Sequence, residues 1–249
     1  MSVIPKYIFI IPYRDREEHK VFFLNYMRDT VLKNINNYEI YLSYQRDNRM
    51  FNRGAVKNLG FLACVGKYPN DWQNINFIFN DIDVIPYDKD VFIYETQIGK
   101  IIHNYGYNFT LGGCVVIKGI DFMRINGYPN IWTYGLEDNM LEFRAKGAGI
   151  KIDRNNMHEI TSKKVLHLFD SNYRNVTTET LDTIKKEYWY DGLNTLKDKK
   201  YSIDGNIINI YNFNGLKDLR TVKYNKVDIN NLETIQTTEE KSKKRFSLF

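Results

Sequence analysis

The chain has 249 residues, of which 43% are hydrophobic and 26% are charged, and this composition fits one soluble domain with a full-sized core. Its net charge of +5 falls to +1 without four basic residues near the C-terminus, Lys241, Lys243, Lys244 and Arg245. The remaining body is nearly neutral, which argues against nucleic acid as a partner. We expect one folded domain over residues 1–235 and a basic, disordered tail over residues 236–249.

The two cysteines, Cys64 and Cys114, lie in apolar surroundings, which predicts buried thiols rather than a disulfide framework. The apolar run at the N-terminus is too short for a membrane span and lacks the features of a secretory signal. These features predict a cytoplasmic protein without a membrane anchor.

The first half of the chain alternates between predicted strands and helices. A continuous apolar run over residues 7–11 predicts a strand buried on both faces that ends at Pro12. A helix is predicted from Glu17 and another around residues 55–62, with strands over residues 38–44 and 75–79. This alternation predicts an α/β fold with a mainly parallel central sheet flanked by helices, in which ligands bind beyond the carboxyl ends of the strands.

Charged side chains follow each of the three predicted strands. Arg14 and Arg16 come after the first, Arg53 after the second, and Asp81 and Asp83 after the third. Two carboxylates one residue apart repel each other unless a cation binds between them, which favours a divalent metal, although such pairs are also ordinary turn formers. Arginines facing a metal site suit a diphosphate, so we expect these side chains to converge on one crevice. The chain has no glycine-rich phosphate loop, which leaves a P-loop or dinucleotide site without support.

The second half contains a predicted strand over residues 112–117 and a predicted helix from Leu136. The glycines that begin the strand would allow close approach of a ligand or another backbone. Glu137 and Asp138 fall in the first turn of the helix, where simple capping is the alternative to catalysis. Aromatic residues and glycines just upstream resemble a mobile lid. His167 lies in an apolar stretch and could be either a core residue or a ligand, and short strands are expected over residues 201–203, 207–211 and 222–229.

These segments resemble, in order, the motifs of the β-1,4-galactosyltransferases, which are inverting sugar-nucleotide transferases of the GT-A fold. The similar segments are IPYRDREEH (11–19), FNRGAVKN (51–58), FNDIDVIP (79–86), LGG (111–113), NGYPN (126–130), WTYGLEDN (132–139) and DGLNTL (191–196). The resemblance implies a single GT-A domain that moves a hexosyl unit from a UDP-sugar to a hydroxyl of a carbohydrate acceptor, in a β-1,4 linkage.

The resemblance also implies roles for individual residues. The donor would be held by Pro12, Tyr13, Arg14, Arg16, Arg53, Asp81, Thr110 and Tyr134, with Tyr134 in the place of the family's lid tryptophan. Asp83 and His167 would bind Mn²⁺, with Mg²⁺ as the alternative. The acceptor would contact Gly113, Trp132, Glu137 and Asn139, and Asp138 would be the catalytic base.

Several departures from the family pattern lead to further expectations. Thr110 stands where the family has a bulky tyrosine beside the second carbon of the donor sugar, which predicts use of UDP-GalNAc at least as well as UDP-Gal. Lys164 or Phe169 replaces a second metal ligand on the closing loop, which predicts weaker metal binding. Asn139 and Leu136 replace an acid and a glycine near the acceptor. The family's stem, membrane anchor and disulfides are absent from this sequence, which predicts a cytoplasmic or viral enzyme.

Two rival interpretations remain open from the sequence. A protein of the same fold could bind sugar nucleotides or glycans with little turnover, as the incomplete metal set and Asn139 suggest. Residues 81–85 also loosely match the nucleophile motif of haloacid-dehalogenase-like phosphatases, although that motif belongs on the first strand of the core.

Overall fold

The N-terminal half alternates between strands and helices, as the sequence predicts. The computed structural model describes residues 3–168, 173–217 and 224–228. The first elements are β1 (Tyr7–Tyr13), α1 (Glu17–Tyr26), which continues into one π-helical turn (Met27–Val31), β2 (Tyr38–Gln45), α2 (Arg53–Lys67) and β3 (Asn76–Asn80). Strand β1 pairs in parallel with both β2 and β3, which confirms the predicted parallel centre.

Shorter strands dominate the second half. The elements are β4 (Val84–Pro86), β5 (Lys100–Tyr105), β6 (Cys114–Lys118), α3 (Gly119–Arg124), α4 (Glu137–Gly147), β7 (Lys151–Asp153), β8 (Val165–His167), β9 (Tyr173–Thr177), α5 (Leu181–Glu187), a 3₁₀ turn (Leu193–Thr195), β10 (Lys197–Asp204), β11 (Ile207–Asn214) and β12 (Tyr224–Asp228). No helix among the described residues is both long enough and apolar enough to cross a bilayer.

The main sheet has eight strands in the order β10-β11-β2-β1-β3-β6-β5-β7. Strand β11 adds to β2 in parallel, whereas β6 is antiparallel to β3. Two ribbons lie apart from this sheet, β4 with β8 and β9 with β12. The fold is the predicted α/β domain with a mainly parallel sheet.

Strand β1 is buried on both faces, as its apolar run predicts. Ile8 and Ile10 pack with residues of α2 on one side of the sheet, whereas Phe9 and Ile11 pack with residues of α1 on the other. Because strand side chains alternate between faces, one uninterrupted apolar run supplies both layers of core. Each such side chain contributes about 1.5–3 kcal/mol when fully buried. The carboxyl ends of β1, β2 and β3 are thereby held side by side.

Some predicted boundaries were wrong for identifiable reasons. Strand β1 runs through Pro12 to Tyr13, because β3 pairs with β1 only as far as Ile10 and so leaves Pro12 with a neighbour on one side. The glycines at 112 and 113 precede β6 rather than begin it. Strand β12 begins at residue 224, and the remainder of the predicted strand, at residues 222, 223 and 229, lies outside the described residues. The predicted basic tail, residues 236–249, also lies outside them.

Five strands were not predicted from the sequence: β4, β5, β7, β8 and β9. Three of them have only three residues, too few to show a period. Strand β5 contains His103 and Asn104, both buried, and these polar residues interrupt its apolar pattern.

Candidate active site

The three predicted charged clusters meet at the carboxyl ends of β1, β2 and β3. They line a cavity of about 440 Å³, and the predicted site residues in its wall are Pro12, Arg14, Arg16, Arg53, Asp81, Asp83, Trp132 and Tyr134. We refer to this as the first cavity. The convergence expected from the parallel topology is therefore confirmed.

Arg53 is the centre of a cluster of three carboxylates. Its Nη2 atom donates to both oxygens of Asp81 at 2.5 and 2.6 Å, while Nη1 donates to Glu137 Oε1 at 2.6 Å and Asp138 Oδ2 at 2.8 Å. Asn52 caps α2 by accepting from the backbone N–H of Ala55 at 2.9 Å, which sets Arg53 as the first helical residue. Burial raises the pKa of Asp81, but the charges of Arg53 and Lys57 outweigh burial and hold this pKa below its ordinary value.

Lys57 is a second cation in this cluster, and its place in the site was not predicted from the sequence. It is 1% exposed, and its Nζ atom lies 3.4 Å from Asp138 Oδ1 and 3.8 Å from Asp81 Oδ1. A signal was present, because a lysine four residues after Arg53 lies on the same face of α2. The apolar residues around Lys57 in the sequence instead favoured a core position there.

Glu137 and Asp138 occupy the first turn of α4, as predicted. The side chains of both contact Arg53. Burial, followed by the charge of Asp138, raises the pKa of Glu137, against the opposing charges of Arg53 and Lys57. The preceding Leu136 has φ of 71°, a left-handed conformation that costs a non-glycine residue about 1–2 kcal/mol. Leu136, which stands where the resemblance expects a glycine, thus has a backbone conformation that glycine adopts readily.

A second cavity of about 430 Å³ lies on the other side of Tyr134. The predicted site residues in its wall are Thr110, Tyr134, Glu137, Asp138 and Asn139, and its other walls include Tyr107, Phe109 and a run of residues from Val176 to Thr180. Tyr134, 38% exposed, lines both cavities. The structure therefore places Thr110 with the predicted base and acceptor residues rather than in the first cavity with Arg53 and Asp81.

Asp83 and His167 are brought together by the pairing of β4 with β8. Val84 lies opposite His167 in this ribbon, and Asp83 Oδ2 is 3.9 Å from His167 Nε2. A carboxylate oxygen and an imidazole nitrogen at this separation suit Mn²⁺. No group of three or more metal-ligating side chains occurs among the described residues, and residues 169–172, which directly follow this ribbon, lie outside them. Arg16 Nη1 also contacts Asp83 Oδ2, at 3.0 Å. The candidate Phe169 lies outside the described residues.

Arg14 and Tyr13 project differently from β1. Arg14 Nη1 donates to the carbonyl oxygen of Arg49 at 2.6 Å, and its guanidinium lies 5.2 Å from the ring of Phe51, so it orders the loop before α2. The Tyr13 hydroxyl donates to Glu17 at 2.9 Å, and its ring belongs to the core on the α1 side of the sheet. Strand alternation sends Pro12 and Arg14 to the cavity and turns the Tyr13 side chain away from it.

Trp132, a predicted acceptor contact, lines the first cavity rather than the second, and Gly113 lines neither. Trp132 is 2% exposed, stacks on Phe213 with ring centroids 5.1 Å apart, and donates from Nε1 to the Lys217 carbonyl at 3.2 Å. Gly113 has φ of 68°, and a Cβ there would lie 2.4 Å from the Tyr105 carbonyl oxygen. Its own carbonyl accepts from the backbone N–H of Asp81 at 2.9 Å. The close backbone approach predicted for this glycine is present.

Beneath both glycines lies a polar layer centred on His103. Arg154 Nε donates to His103 Nδ1 at 3.1 Å, so the other ring nitrogen, Nε2, carries the hydrogen and donates to the Gly112 carbonyl at 3.1 Å. Arg154 Nη2 also donates to the Thr110 carbonyl at 3.0 Å and to Glu142 at 2.6 Å. This layer holds the segment from Thr110 to Gly112 against Asp138.

The ribbon of β9 and β12 forms a wall of both cavities and was not predicted to do so. Arg174, Asn175 and Lys226 line the first cavity, while Val176, Asn225 and Val227 line the second. The ribbon is joined by backbone hydrogen bonds to Tyr134, which lies in the segment predicted to be a lid. The bonds run from Tyr134 N–H to the Asn175 carbonyl at 2.7 Å and from Thr177 N–H to the Tyr134 carbonyl at 3.3 Å. These strands are 46 residues or more apart in sequence, so no local pattern predicts their meeting.

Comparison with known proteins agrees with this arrangement. Residues 3–97 match the family model described as the N-terminal region of glycosyl transferase group 7, and residues 95–169 match the model described as the N-terminal domain of galactosyltransferase. Mouse β-1,4-galactosyltransferase 1 is 29% identical over 203 residues, which are 77% of this chain and 50% of that protein. The chain thus spans about half the length of the curated relatives it matches.

Two solved structures have the same architecture. The catalytic domain of Drosophila β-1,4-galactosyltransferase 7 in complex with xylobiose superposes with a TM-score of 0.68 at 19% identity, covering 87% of this chain and 97% of that one. A mutant of the same enzyme in complex with manganese, UDP-Gal and xylobiose gives a TM-score of 0.67 at 18% identity, with the same coverage. The chain therefore belongs to the glycosyl transferase group 7 family and has the GT-A fold of the β-1,4-galactosyltransferases.

Proposed function

We propose that this chain is an inverting, metal-dependent glycosyltransferase that moves a hexosyl unit, Gal or GalNAc, from a UDP-sugar to a hydroxyl of a carbohydrate acceptor and forms a β-1,4 linkage. The observation that carries the proposal is Arg53, which contacts Asp81 in the first cavity and Glu137 and Asp138 in the second. Two neighbouring cavities with shared carboxylates suit a reaction between two substrates. Family membership and the activities named for the relatives support this assignment.

The first cavity would hold the donor. Arg14, Arg16 and Arg53 lie at strand ends around it, where guanidinium groups can pair with diphosphate oxygens. Pro12 would border the uridine, and Asp81 would accept a hydrogen bond from the donor sugar. Tyr134, at the boundary with the second cavity, would cover the bound donor. The role of Tyr13 in donor binding stays a prediction, and an indirect one, because its side chain packs in the core.

Asp83 and His167 would hold Mn²⁺, with Mg²⁺ as the alternative, and oxygens of the donor diphosphate would complete the coordination shell. When bound, the ion supplies positive charge that stabilises the departing nucleoside diphosphate. Arg16, which contacts Asp83, orients this carboxylate.

The second cavity would hold the acceptor. Glu137 and Asn139 would bind its hydroxyl groups. The acceptor contacts of Trp132, which lines the first cavity, and of Gly113, which lines neither, stay predictions. Asp138 would remove the proton from the attacking hydroxyl as that oxygen forms a bond to the anomeric carbon. The bond from that carbon to the diphosphate oxygen breaks on the opposite face, and the electron pair leaves with UDP. Attack from the opposite face inverts the anomeric configuration.

The experiment is a screen of UDP-sugars with Mn²⁺ against a panel of monosaccharide and disaccharide acceptors, with UDP release and product linkage as readouts. Acceptor-dependent UDP release with a β-1,4 product supports the proposal. Release of phosphate from a monoester instead would revive the phosphatase interpretation, which the family and fold do not favour.

A binding protein of the same fold is the second candidate. It is favoured by Asn139 in the place of an acid and by the metal set that the sequence leaves incomplete at Lys164 or Phe169. Binding of UDP in the presence of Mn²⁺, without turnover of any donor and acceptor pair, would support this candidate over the transferase.

The cytoplasmic location and the viral origin stay predictions. The two cysteines are free and buried, which agrees with a reducing compartment. Fractionation of the cells that produce the protein would test the location, and recovery from a secretory compartment would contradict it.

A further inference from the structure

Lys57 has no assigned role, yet its burial is difficult to explain by folding alone. It is 1% exposed, on a stretch of α2 whose neighbours Val56 and Leu59 belong to the hydrophobic core. Its ammonium lies 4.4 Å from the centroid of the Tyr128 ring, which stabilises a desolvated cation only in part. Removing an ammonium group from water is unfavourable by several kcal/mol, and an apolar residue would satisfy the core here. The charge therefore serves the carboxylates beside it.

The contacts of Lys57 distinguish between two adjacent carboxylates. Asp138 has a cation at each oxygen, with Arg53 at 2.8 Å from Oδ2 and Lys57 at 3.4 Å from Oδ1. Glu137 has Arg53 at 2.6 Å from Oε1, whereas its buried Oε2 has no hydrogen-bond partner. Lys57 therefore supports one member of the pair and leaves an oxygen of the other without a donor.

Such asymmetry determines where a shared proton resides. Two carboxylates in one helical turn repel each other when both are ionised, so one of them readily keeps a proton. Among the described residues, the titratable and charged groups around this pair are Arg53 and Lys57 on α2, Asp81 after β3, the phenols of Tyr128 and Tyr134, and, in the wall of the second cavity, Tyr107 and Glu179. Arg53 contacts both carboxylates, whereas Lys57, whose charge also acts on Glu137, forms an ion pair with Asp138 and not with Glu137. Lys57 is therefore the cation whose contacts are asymmetric.

We propose that Lys57 is a positioning residue that keeps Asp138 ionised and oriented as the catalytic base, so that the proton of the pair resides on Oε2 of Glu137. The inference rests on the proposed function and deepens it. Burial and the charge of Asp138 raise the pKa of Glu137, in agreement with this assignment.

The proton balance of transfer follows from this arrangement. Before reaction Glu137 is a carboxylic acid and Asp138 a carboxylate. Asp138 accepts the proton of the attacking hydroxyl as the new glycosidic bond forms, and afterwards releases it to solvent.

The experiment is a carbon-13 NMR titration of the side-chain carboxyls in the metal-free protein, with resonances assigned from Glu137→Gln and Asp138→Asn. In the wild type at pH 7 we expect Glu137 to be protonated and Asp138 ionised. In Lys57→Met, which keeps the side-chain length and removes the charge, we expect the Asp138 midpoint to rise by about one pH unit or more. In Lys57→Arg, which keeps the charge, we expect it to stay within about half a unit of the wild type.

An ionised Glu137 in the wild type at pH 7 would overturn the inference, and so would an unchanged Asp138 midpoint in Lys57→Met. If Lys57→Met does not fold, Lys57→Gln, which also removes the charge, takes its place with the same expected result. For transfer activity, the acid limb of the pH profile should move to higher pH in Lys57→Met and return in Lys57→Arg. If the titrations behave as expected but no donor is turned over, the proposed function fails and the proton assignment stands.

Discussion

The two cavities on either side of Tyr134 are built from different chemistry. The first is lined by arginines and aspartates that follow the ends of β1, β2 and β3, whereas the second is lined by rings, threonines and backbone around one carboxylate pair. A diphosphate is recognised by charge, and guanidinium forks at a sheet edge provide it. A neutral sugar is recognised by shape, ring stacking and individual hydrogen bonds, which need walls from many segments.

The comparison also shows where the cavities depend on each other. Arg53 and Lys57 extend from α2 to carboxylates of both cavities. A change at either cation should therefore affect the donor and the acceptor together. Changes in the outer walls should instead affect one substrate. The following predictions separate these cases.

The largest effect is expected for Asp138→Asn. The amide cannot accept the proton of the attacking hydroxyl, so kcat should fall by about 10³-fold. Binding of UDP should be retained, because the arginines and Asp83 of the first cavity remain. Initial rates with saturating donor and acceptor, together with calorimetric UDP binding, measure both quantities. Activity equal to that of the wild type would remove Asp138 as the base.

Loss of the metal should affect the donor in the first cavity and leave the acceptor site in the second cavity unchanged. Chelation should lower activity by about 10²–10³-fold, with recovery on addition of Mn²⁺, because several kcal/mol of leaving-group stabilisation are lost. His167→Ala should raise the Mn²⁺ concentration needed for half-maximal activity, measured by metal titration at fixed donor. An unchanged metal requirement would place the ion away from Asp83 and His167.

Gly112→Ala tests the contact between the glycine segment and the base. The added Cβ would lie 2.7 Å from Asp138 Oδ2, an oxygen already held by Arg53, so the carboxylate must shift. Displacement of about 1 Å lowers kcat by about 10²-fold. Gly147→Ala is the matched control, because its Cβ meets nothing within 4 Å. Equal kcat values for the two variants would show that Asp138 tolerates the displacement.

The layer beneath the glycines should make the fold sensitive to acid. Burial, with the charge of Arg154, lowers the pKa of His103 to about 4. The unfolded chain, with a histidine pKa of about 6.5, binds more protons between these values, so the free energy of unfolding decreases as pH falls. We expect a loss of about 2 kcal/mol between pH 7 and pH 5 from this residue.

Denaturant unfolding at the two pH values measures that loss, and His103→Gln should reduce the slope because the amide does not titrate in this range. A slope that is the same in both proteins would assign the acid sensitivity to other groups.

Thr110→Tyr should have the smallest effect, on selectivity. If Thr110 leaves room for the N-acetyl group of the donor, the ratio of kcat/KM for UDP-GalNAc to that for UDP-Gal should fall by about tenfold in the variant. Because Thr110 lines the second cavity, a change in acceptor KM at a constant donor ratio is the competing outcome. A strong preference of the wild type for UDP-Gal would also remove the GalNAc prediction.

The strand ends illustrate what local pattern can reveal about a site. The apolar runs of β1 and β3 indicate buried parallel strands, and parallel strands end at one edge of a sheet. The sequence alone therefore predicted that Arg14, Arg16, Asp81 and Asp83 lie close together, as they do in the first cavity. Glu137 and Asp138 were likewise placed in a first helical turn. Their ion pairs with Arg53, however, depend on how α4 packs in the fold, and the hydrophobic period of the sequence does not predict this packing.

The sequence by itself determined the α/β alternation, the central parallel strands, the charged edge and, through its ordered motifs, the family. Tertiary structure alone decided that β9 and β12 pair across both cavities, that Thr110 borders the second cavity, and that Lys57 lies beside Asp138 but makes no contact with the free oxygen of Glu137. The physical reason is range. Hydrophobic period and strand ends are local properties of the chain, whereas contacts between distant segments depend on the packing of the whole core.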